Sequence, residues 1–271
     1  YIAPSVWAWR PQRARAMKSY FDHVLTILPF EVEVMQRLSG PSSTYVGHRL
    51  SSYGPILQAR AQQKALEAQR TEETRKTLLV LPGSRRTEIQ LLMEPFGQAV
   101  GELATRVEKL DVVLPTLPRI EEMVRDLSKN WVVKPLIVLG DEEKWKAFSK
   151  ADAALAASGT VSLELALSRI PSVLSYKADW FARKFLMPKI TIWSAALPNI
   201  IADEPVVPEY FNEFVRSGML ARNLERLMRP GSARQAQLDG FDRVASIMAT
   251  EKPSGEIGAR VILELVGETR N

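Results

Sequence analysis

The sequence predicts an α/β protein built on parallel sheets, and three observations carry that prediction. Five short apolar runs, TLLVL, DVVLPT, LIVLG, AALAAS and SVLSY, recur through the middle of the chain. Each is followed by a loop and then a segment with helical periodicity, the pattern of β-α-β units whose strands must run parallel. At 271 residues and 46% hydrophobic, the chain is large enough to bury the core of one large or two ordinary domains.

The elements follow in order. Residues 22–28 (DHVLTIL) read as a strand, and PFEVEVMQRLSG as a short helix that opens at Pro29 and stops at Gly40. STYVGHRL reads as a strand running into a loop. Residues 55–75 turn polar and lose strand signals (LQARAQQKALEAQRTEETR), which predicts a solvated helix or a tether and places a domain boundary there. The five strand–helix cycles follow. From Pro198 onward the pattern is mostly helical, closed by GEIGARVILELVGE. No internal repeat and no low-complexity tract interrupts the chain.

Composition removes several function classes. Cysteine is absent, which excludes disulfides and thiolate chemistry and fits a reducing compartment. His23 and His48 are the only histidines, too few for a His-rich metal site. No apolar stretch is long enough to span a bilayer, and no charged-then-apolar leader opens the sequence. The net charge of +5 and pI of about 9.4 favour anionic partners: phosphates, nucleic acid or an acidic lipid surface. The chain begins at Tyr1 without an initiator Met, and its first ten residues read as the inside of a domain.

In parallel sheets, ligands sit outside the carboxyl ends of the strands, and two loops there stand out. After TLLVL comes PGSRR. Gly83 can take a tight turn, the amides that open the next helix carry its positive dipole end, and Arg85 and Arg86 suit bidentate phosphate contact. After AALAA comes SGT, with Ser158 or Thr160 able to cap the following helix and Glu164 one turn into it. Two helix N-termini facing one crevice, one with arginine and one with carboxylate, suit a nucleotide. The simpler alternative is structural: glycine and serine turn many such loops, and an early helical Glu complements a dipole. Neither loop matches G-x-x-x-x-G-K-[ST] or G-x-G-x-x-G, which disfavours a P-loop ATPase and a dinucleotide enzyme. Ser158 lacks the G-x-S-x-G elbow and a His partner, which disfavours a hydrolase triad. A structural role suits His23 best. His48, at a strand-to-loop exit, is a candidate for catalysis or substrate orientation.

Seven segments occur in one order: YIAPSVWAWR (1–10), LPFE (28–31), YVGH (45–48), LPGSRRTEI (81–89), ASGTVSLELAL (157–167), LPNI (197–200) and PEYFN (208–212). Together they closely resemble the lipid-A-disaccharide synthase family of glycosyltransferases. The likeness runs from the first residue to about residue 215 and continues more weakly through the terminal helices.

The resemblance implies a GT-B architecture, two Rossmann-like parallel-sheet domains. Residues 1–54 would be the rear of an N-terminal acceptor-side domain, only partly present, and 55–75 a linker helix. Residues 76–225 would be the C-terminal donor domain, and 226–271 helices that pack back or exchange in a homodimer. It implies UDP-2,3-diacylglucosamine as donor, 2,3-diacylglucosamine 1-phosphate as acceptor, and a β-1,6-linked disaccharide plus UDP as products, with neither metal nor cofactor. For the donor it implies Gly83, Ser84, Arg85 and the helix-start amides at the diphosphate, with Ser158, Gly159 and Thr160 nearby. Glu164 would take the ribose, and Asn199, Glu209 and Asn212 the donor sugar. Trp7, Trp9 and Arg10 would line the cleft, with a buried aromatic cluster as the alternative.

The sequence departs from the family at three places. Arg49, Ser51 and Ser52 follow the VGH, where the family usually has Pro and often a downstream Asp. Asn212 replaces the Gln of PE-x-x-Q. The catalytic carboxylate of the family falls upstream of Tyr1, so no base is assigned beyond His48 as a candidate. The other readings are a non-catalytic nucleotide-sugar-binding module and a UDP-sugar 2-epimerase, which two histidines support poorly. Nucleic-acid binding is disfavoured because no basic run is interleaved densely with aromatics. Acylated substrates imply a cytoplasmic location, peripheral on the inner face of the inner membrane of a Gram-negative cell that makes lipopolysaccharide. Residues 179–187 (DWFARKFLM) read as either a core helix or an amphipathic segment docking on that surface.

Overall fold

A computed structural model describes residues 1–71, 73–178, 184 and 192–268. The chain forms two compact units. The first contains residues 1–53, 184, 192–193 and 245–268 of the described chain. It opens with α1 (Gln12–Met17), β1 (His23–Thr26), α2 (Glu31–Arg37) and β2 (Ser42–Tyr45). The two strands pair in parallel, from His23 opposite Ser42 to Thr26 opposite Tyr45. Ala3, Val6, Ala14, Val24, Val34 and Met35 form their core. Glu31 is buried at the start of α2, where its carboxylate accepts the amides of Ile27 (3.1 Å) and Leu28 (3.0 Å) from the turn that precedes the helix. Burial pushes its carboxyl up, against those hydrogen bonds. The left-handed turn that ends α2 falls on Ser39 (φ 54°) rather than Gly40, whose amide closes onto the Met35 carbonyl at 2.8 Å.

The second unit holds residues 54–178 and 194–244 of the described chain. Its elements are α3 (Gly54–Glu67), β3 (Lys76–Leu81), α4 (Arg86–Ala104), β4 (Leu110–Thr116), α5 (Glu121–Ser128), β5 (Leu136–Leu139), α6 (Asp141–Lys150), β6 (Ala153–Ala157), α7 (Thr160–Leu167), β7 (Ser172–Tyr176), α8 (Leu197–Ala202), β8 (Glu209–Phe211), α9 (Ser217–Met228) and α10 (Ser232–Ile247). The last helix of the chain, α11 (Ser254–Glu268), belongs to the first unit.

Six strands form one wholly parallel sheet in the order β5-β4-β3-β6-β7-β8. Chain order therefore reverses between β3 and β6, at the centre of the sheet. The apolar run of β3 is continuous because both faces are covered: Leu78 and Val80 join the core with α4 and α9, while Leu79 and Leu81 join the one with α3 and α6. In β6, Ala153, Leu155 and Ala157 face the first core, and Ala154 and Ala156 the second.

The region from 198 onward is less helical than its pattern predicts, since β8 closes one edge of the sheet. Three residues are too few to show a period, and they are strand because β7 supplies their ladder partners, Leu174 to Glu209 through Tyr176 to Phe211. The polar stretch at 55–75 includes α3, which packs onto this unit. Ala59 lies in the second core, and Gln63 Nε2 donates to the carbonyls of Phe148 (2.8 Å) and Ala151 (2.9 Å). Arg234 grips Glu67 with two hydrogen bonds (2.7 and 2.8 Å), and Arg70 Nε donates to Asp152 (2.9 Å). Asp152 in turn accepts the Thr77 amide at 2.8 Å.

Candidate functional site

At the reversal point, the carboxyl ends of β3 and β6 splay their loops apart and open a crevice of about 410 Å³. It is lined by Gly83 to Arg85 and Glu88 from the first loop and helix, and by Ser158 to Val161 and Glu164 from the second. The ends of β4 and β5 add Thr116, Gly140, Asp141 and Lys144. The structure thus brings Gly83, Ser84, Arg85, Ser158, Gly159, Thr160 and Glu164 together around one cavity.

Within the first loop, Gly83 has φ +111°, a region open to glycine, and the Glu88 carboxylate lies against its Cα. Glu88 Oε2 accepts the amides of Ser84 and Arg85, each at 3.3 Å, and Oε1 accepts Arg85 Nη1 at 2.7 Å. The helix-start amides, expected to point outward free, therefore already hold an internal anion. Arg85 is nonetheless 79% exposed at the rim of the crevice. The carbonyl of Ser84 is tied from outside by Arg119 Nη2 at 2.9 Å.

The second loop corrects an expectation. Neither Ser158 nor Thr160 caps α7; Gly159 is the N-cap, and no side chain satisfies it. Ser158 lies just past β6, its amide bonded to the Ser175 carbonyl (2.9 Å) and its hydroxyl donating to the Ala195 carbonyl at 3.2 Å instead of to the helix start. Thr160 is already the first helical residue, one position too late to cap. A Cβ added at Gly159 would meet nothing within 4 Å, so this helix start opens onto free space. Glu164 is not a bare carboxylate: Oε2 accepts Lys144 Nζ at 2.8 Å.

The other candidates lie at separate places. Asn199, Glu209 and Ser194 form a wired cluster beside the second loop. Glu209 accepts the Ser194 hydroxyl, the Ala195 amide (3.2 Å) and Asn199 Nδ2 (3.3 Å), and Asn199 also exchanges hydrogen bonds with the Val207 backbone (2.8 and 3.0 Å). Burial pushes the Glu209 carboxyl up, opposed by those donors. Ala195 links this cluster to Ser158. Asn212 stands at the end of β8 with φ 48°, its Oδ1 accepting the Ala178 amide at 3.0 Å.

In the first unit, Trp7 Nε1 donates to Glu31 (3.1 Å) and its ring meets Phe30 edge-on at 5.3 Å. The Arg10 guanidinium lies over the Trp9 ring at 4.2 Å. His48 accepts the Leu50 amide on Nδ1 at 3.0 Å, and burial, with Arg49 beside it, lowers its pKa. His23 Nε2 and Thr44 Oγ1 are 2.9 Å apart. Of the stretch 179–187, only residue 184 lies among the described residues.

Sequence reasoning missed Glu88, Lys144 and Arg119. For Glu88 a signal existed, an acid three residues past a helix start, the second half of a capping box. Lys144 and Arg119 carry no local signal; they reach the site through the β4 and β5 connections.

The parallel sheet and its central reversal define an α/β architecture of the GT-B fold class. Solved structures share that fold at low identity. The S. aureus MnaA–UDP co-structure matches 89% of this chain and 60% of its own, with TM-score 0.55 and 15% identity. The wall teichoic acid polymerase TagF matches 96% and 62%, with TM-score 0.51 and 13% identity. WaaG, a glycosyltransferase involved in lipopolysaccharide biosynthesis, matches 86% and 60%, with TM-score 0.50 and 13% identity.

The family model described as lipid-A-disaccharide synthetase matches residues 1–253. Lipid-A-disaccharide synthase of Nitrobacter winogradskyi is 42% identical over 100% of this chain and 67% of its own length. That of Rhodopseudomonas palustris strain BisB18 is 40% identical over 98% and 66%. The chain belongs to the lipid-A-disaccharide synthase family, glycosyltransferases of lipid A biosynthesis. It spans about two thirds of the length of these curated relatives.

Proposed function

We propose that this chain carries the donor half of the family's reaction: transfer of a diacylglucosaminyl group from its UDP conjugate to the 6-hydroxyl of diacylglucosamine 1-phosphate. The single observation that carries the proposal is the coincidence, in one crevice at the sheet's reversal, of the two family segments LPGSRRTEI and ASGTVSLELAL. In this reading residues 76–225 are the donor domain and 1–54 belong to the acceptor side.

The chemistry needs a departing UDP stabilised as charge builds on its diphosphate, and a base for the acceptor hydroxyl. Arg85 has donors to spare beyond the one spent on Glu88. The uncapped start of α7 offers amides and a positive dipole end. Glu164 receives the ribose hydroxyls, and Asn199, Glu209 and Asn212 stand on the donor-sugar side. No described residue is assigned as the base.

Calorimetric titration of UDP into the chain tests the donor site, and a chain that does not bind UDP overturns the reading. We further propose peripheral attachment to an anionic leaflet, supported by the net charge of +5 and the acylated substrates of the family. Among the described residues no helix is long and apolar enough to cross a membrane. Sedimentation with anionic vesicles should fall as salt rises; binding indifferent to salt removes the electrostatic part.

A further inference from the structure

Lys144 and Glu164 come from different β-α units and meet across the wall of the crevice. Lys144 sits in the first turn of α6, which follows β5, and Glu164 in the second turn of α7, which follows β6. Between β5 and β6 in the sheet stand β4 and β3, so nothing in the local sequence brings the two together. Their contact is short, 2.8 Å from Nζ to Oε2, and both side chains are mostly shielded, at 24% and 17% exposed. The ammonium is itself held from below: it lies 4.7 Å from the Trp145 ring centroid and 5.4 Å from that of Phe148, within cation–π range. The two rings pack edge-on at 4.9 Å beneath it.

An exposed ion pair stabilises little, and one this deep needs a reason to leave solvent. Both partners line the cavity. Lys144 takes Oε2 of Glu164, and among the described residues Oε1 has no partner. A carboxylate free to rotate would present its oxygens in many directions; one oxygen pinned by an ammonium fixes where the other points.

We infer that Lys144 is a positioning residue for the ribose pocket: it locks Glu164 so that Oε1 accepts from the vicinal hydroxyls of a ribonucleotide. The pair thereby makes the crevice selective for ribonucleoside over 2′-deoxyribonucleoside diphosphates. This rests on the donor-site reading above and adds to it the residue that sets sugar selectivity. Lys144 touches neither phosphate nor reacting atoms in this assignment.

The test is calorimetric titration of UDP, dUDP and uridine into the chain and into Glu164→Ala, Lys144→Met and Lys144→Arg, with circular dichroism to confirm that each variant is folded. The unmodified chain should prefer UDP to dUDP by about tenfold, the scale of one hydrogen bond to a charged group. Glu164→Ala and Lys144→Met should each erase that preference, whereas Lys144→Arg, which keeps a cationic donor, should restore most of it. A merely structural lysine would leave the UDP-to-dUDP ratio unchanged, and that result overturns the inference. So does a Lys144→Met variant that loses UDP affinity while binding uridine normally, because the ammonium would then be a phosphate ligand. If Glu164→Ala keeps the full preference, the ribose role of Glu164 fails as well. If the unmodified chain binds no UDP, it is the donor-site reading that falls.

Discussion

The loop after β3 and the loop after β6 stand side by side at the reversal of the sheet, and both lead from a buried strand into a helix N-terminus. Their states differ. The first has already bound its own acid: Glu88 takes the amides of Ser84 and Arg85 and one arm of the Arg85 guanidinium. The second is uncapped, and space is open beside Gly159. One helix start is therefore self-satisfied and the other open, so on the proposed donor-site reading a ligand displaces an internal anion only at the first. The two helix starts are not equivalent, although their strand–turn–helix patterns look alike.

The largest expected effect comes from the cation that the first loop exposes. In an enzyme competent for transfer, Arg85→Ala should remove about 2–4 kcal/mol of transition-state stabilisation, the scale for losing one oxyanion donor. Its melting temperature should barely move, since the side chain is an exposed partner in an i,i+3 pair. Unchanged kcat/KM would show that Glu88 alone claims this arginine.

Next is Gly83→Ala. A Cβ there would stand 2.4 Å from Glu88 Oε2 on a backbone with φ +111°, so the variant should lose about 1–3 kcal/mol in denaturant unfolding. Stability equal to the parent would mean that the loop has another conformation of similar energy.

Glu88→Ala follows, at about 0.5–2 kcal/mol of stability for a lost helix cap. Because the same change frees two amides and Arg85, UDP affinity should stay level or rise. A fall in affinity would break the contrast, showing that Glu88 orients the arginine instead of competing for it.

The smallest change in stability belongs to Gly159→Ala. Its backbone is extended and its surroundings empty, so unfolding should shift by less than about 0.5 kcal/mol. The added methyl enters the crevice, and UDP binding should weaken. Equal UDP binding would move the ligand away from the second loop.

Much of this site is legible in the sequence. PGSRR and SGT stand out because a strand tip followed by small residues and a helix is a local pattern, readable without knowing which strands are neighbours. The seven ordered segments read as the family for the same reason. What stayed hidden depends on partners distant in the chain or on small differences of register. The cap of α7 was misplaced by one residue because Ser158 keeps its ladder bond to Ser175, which only strand pairing reveals. The contacts of Trp7 with Phe30 and Glu31 likewise join residues distant in the chain.

By itself, the sequence determined the alternation of strands and helices, the two loops at strand tips and the family, since periodicity, turn chemistry and residue order are properties of neighbouring positions. The tertiary structure alone decided the strand order that sets those loops together, the strand character of Glu209–Phe211, and the Lys144–Glu164 pair. Each of these depends on hydrogen bonds or charges supplied by another element, and the free energy of such contacts exists only once the sheet has brought the elements together.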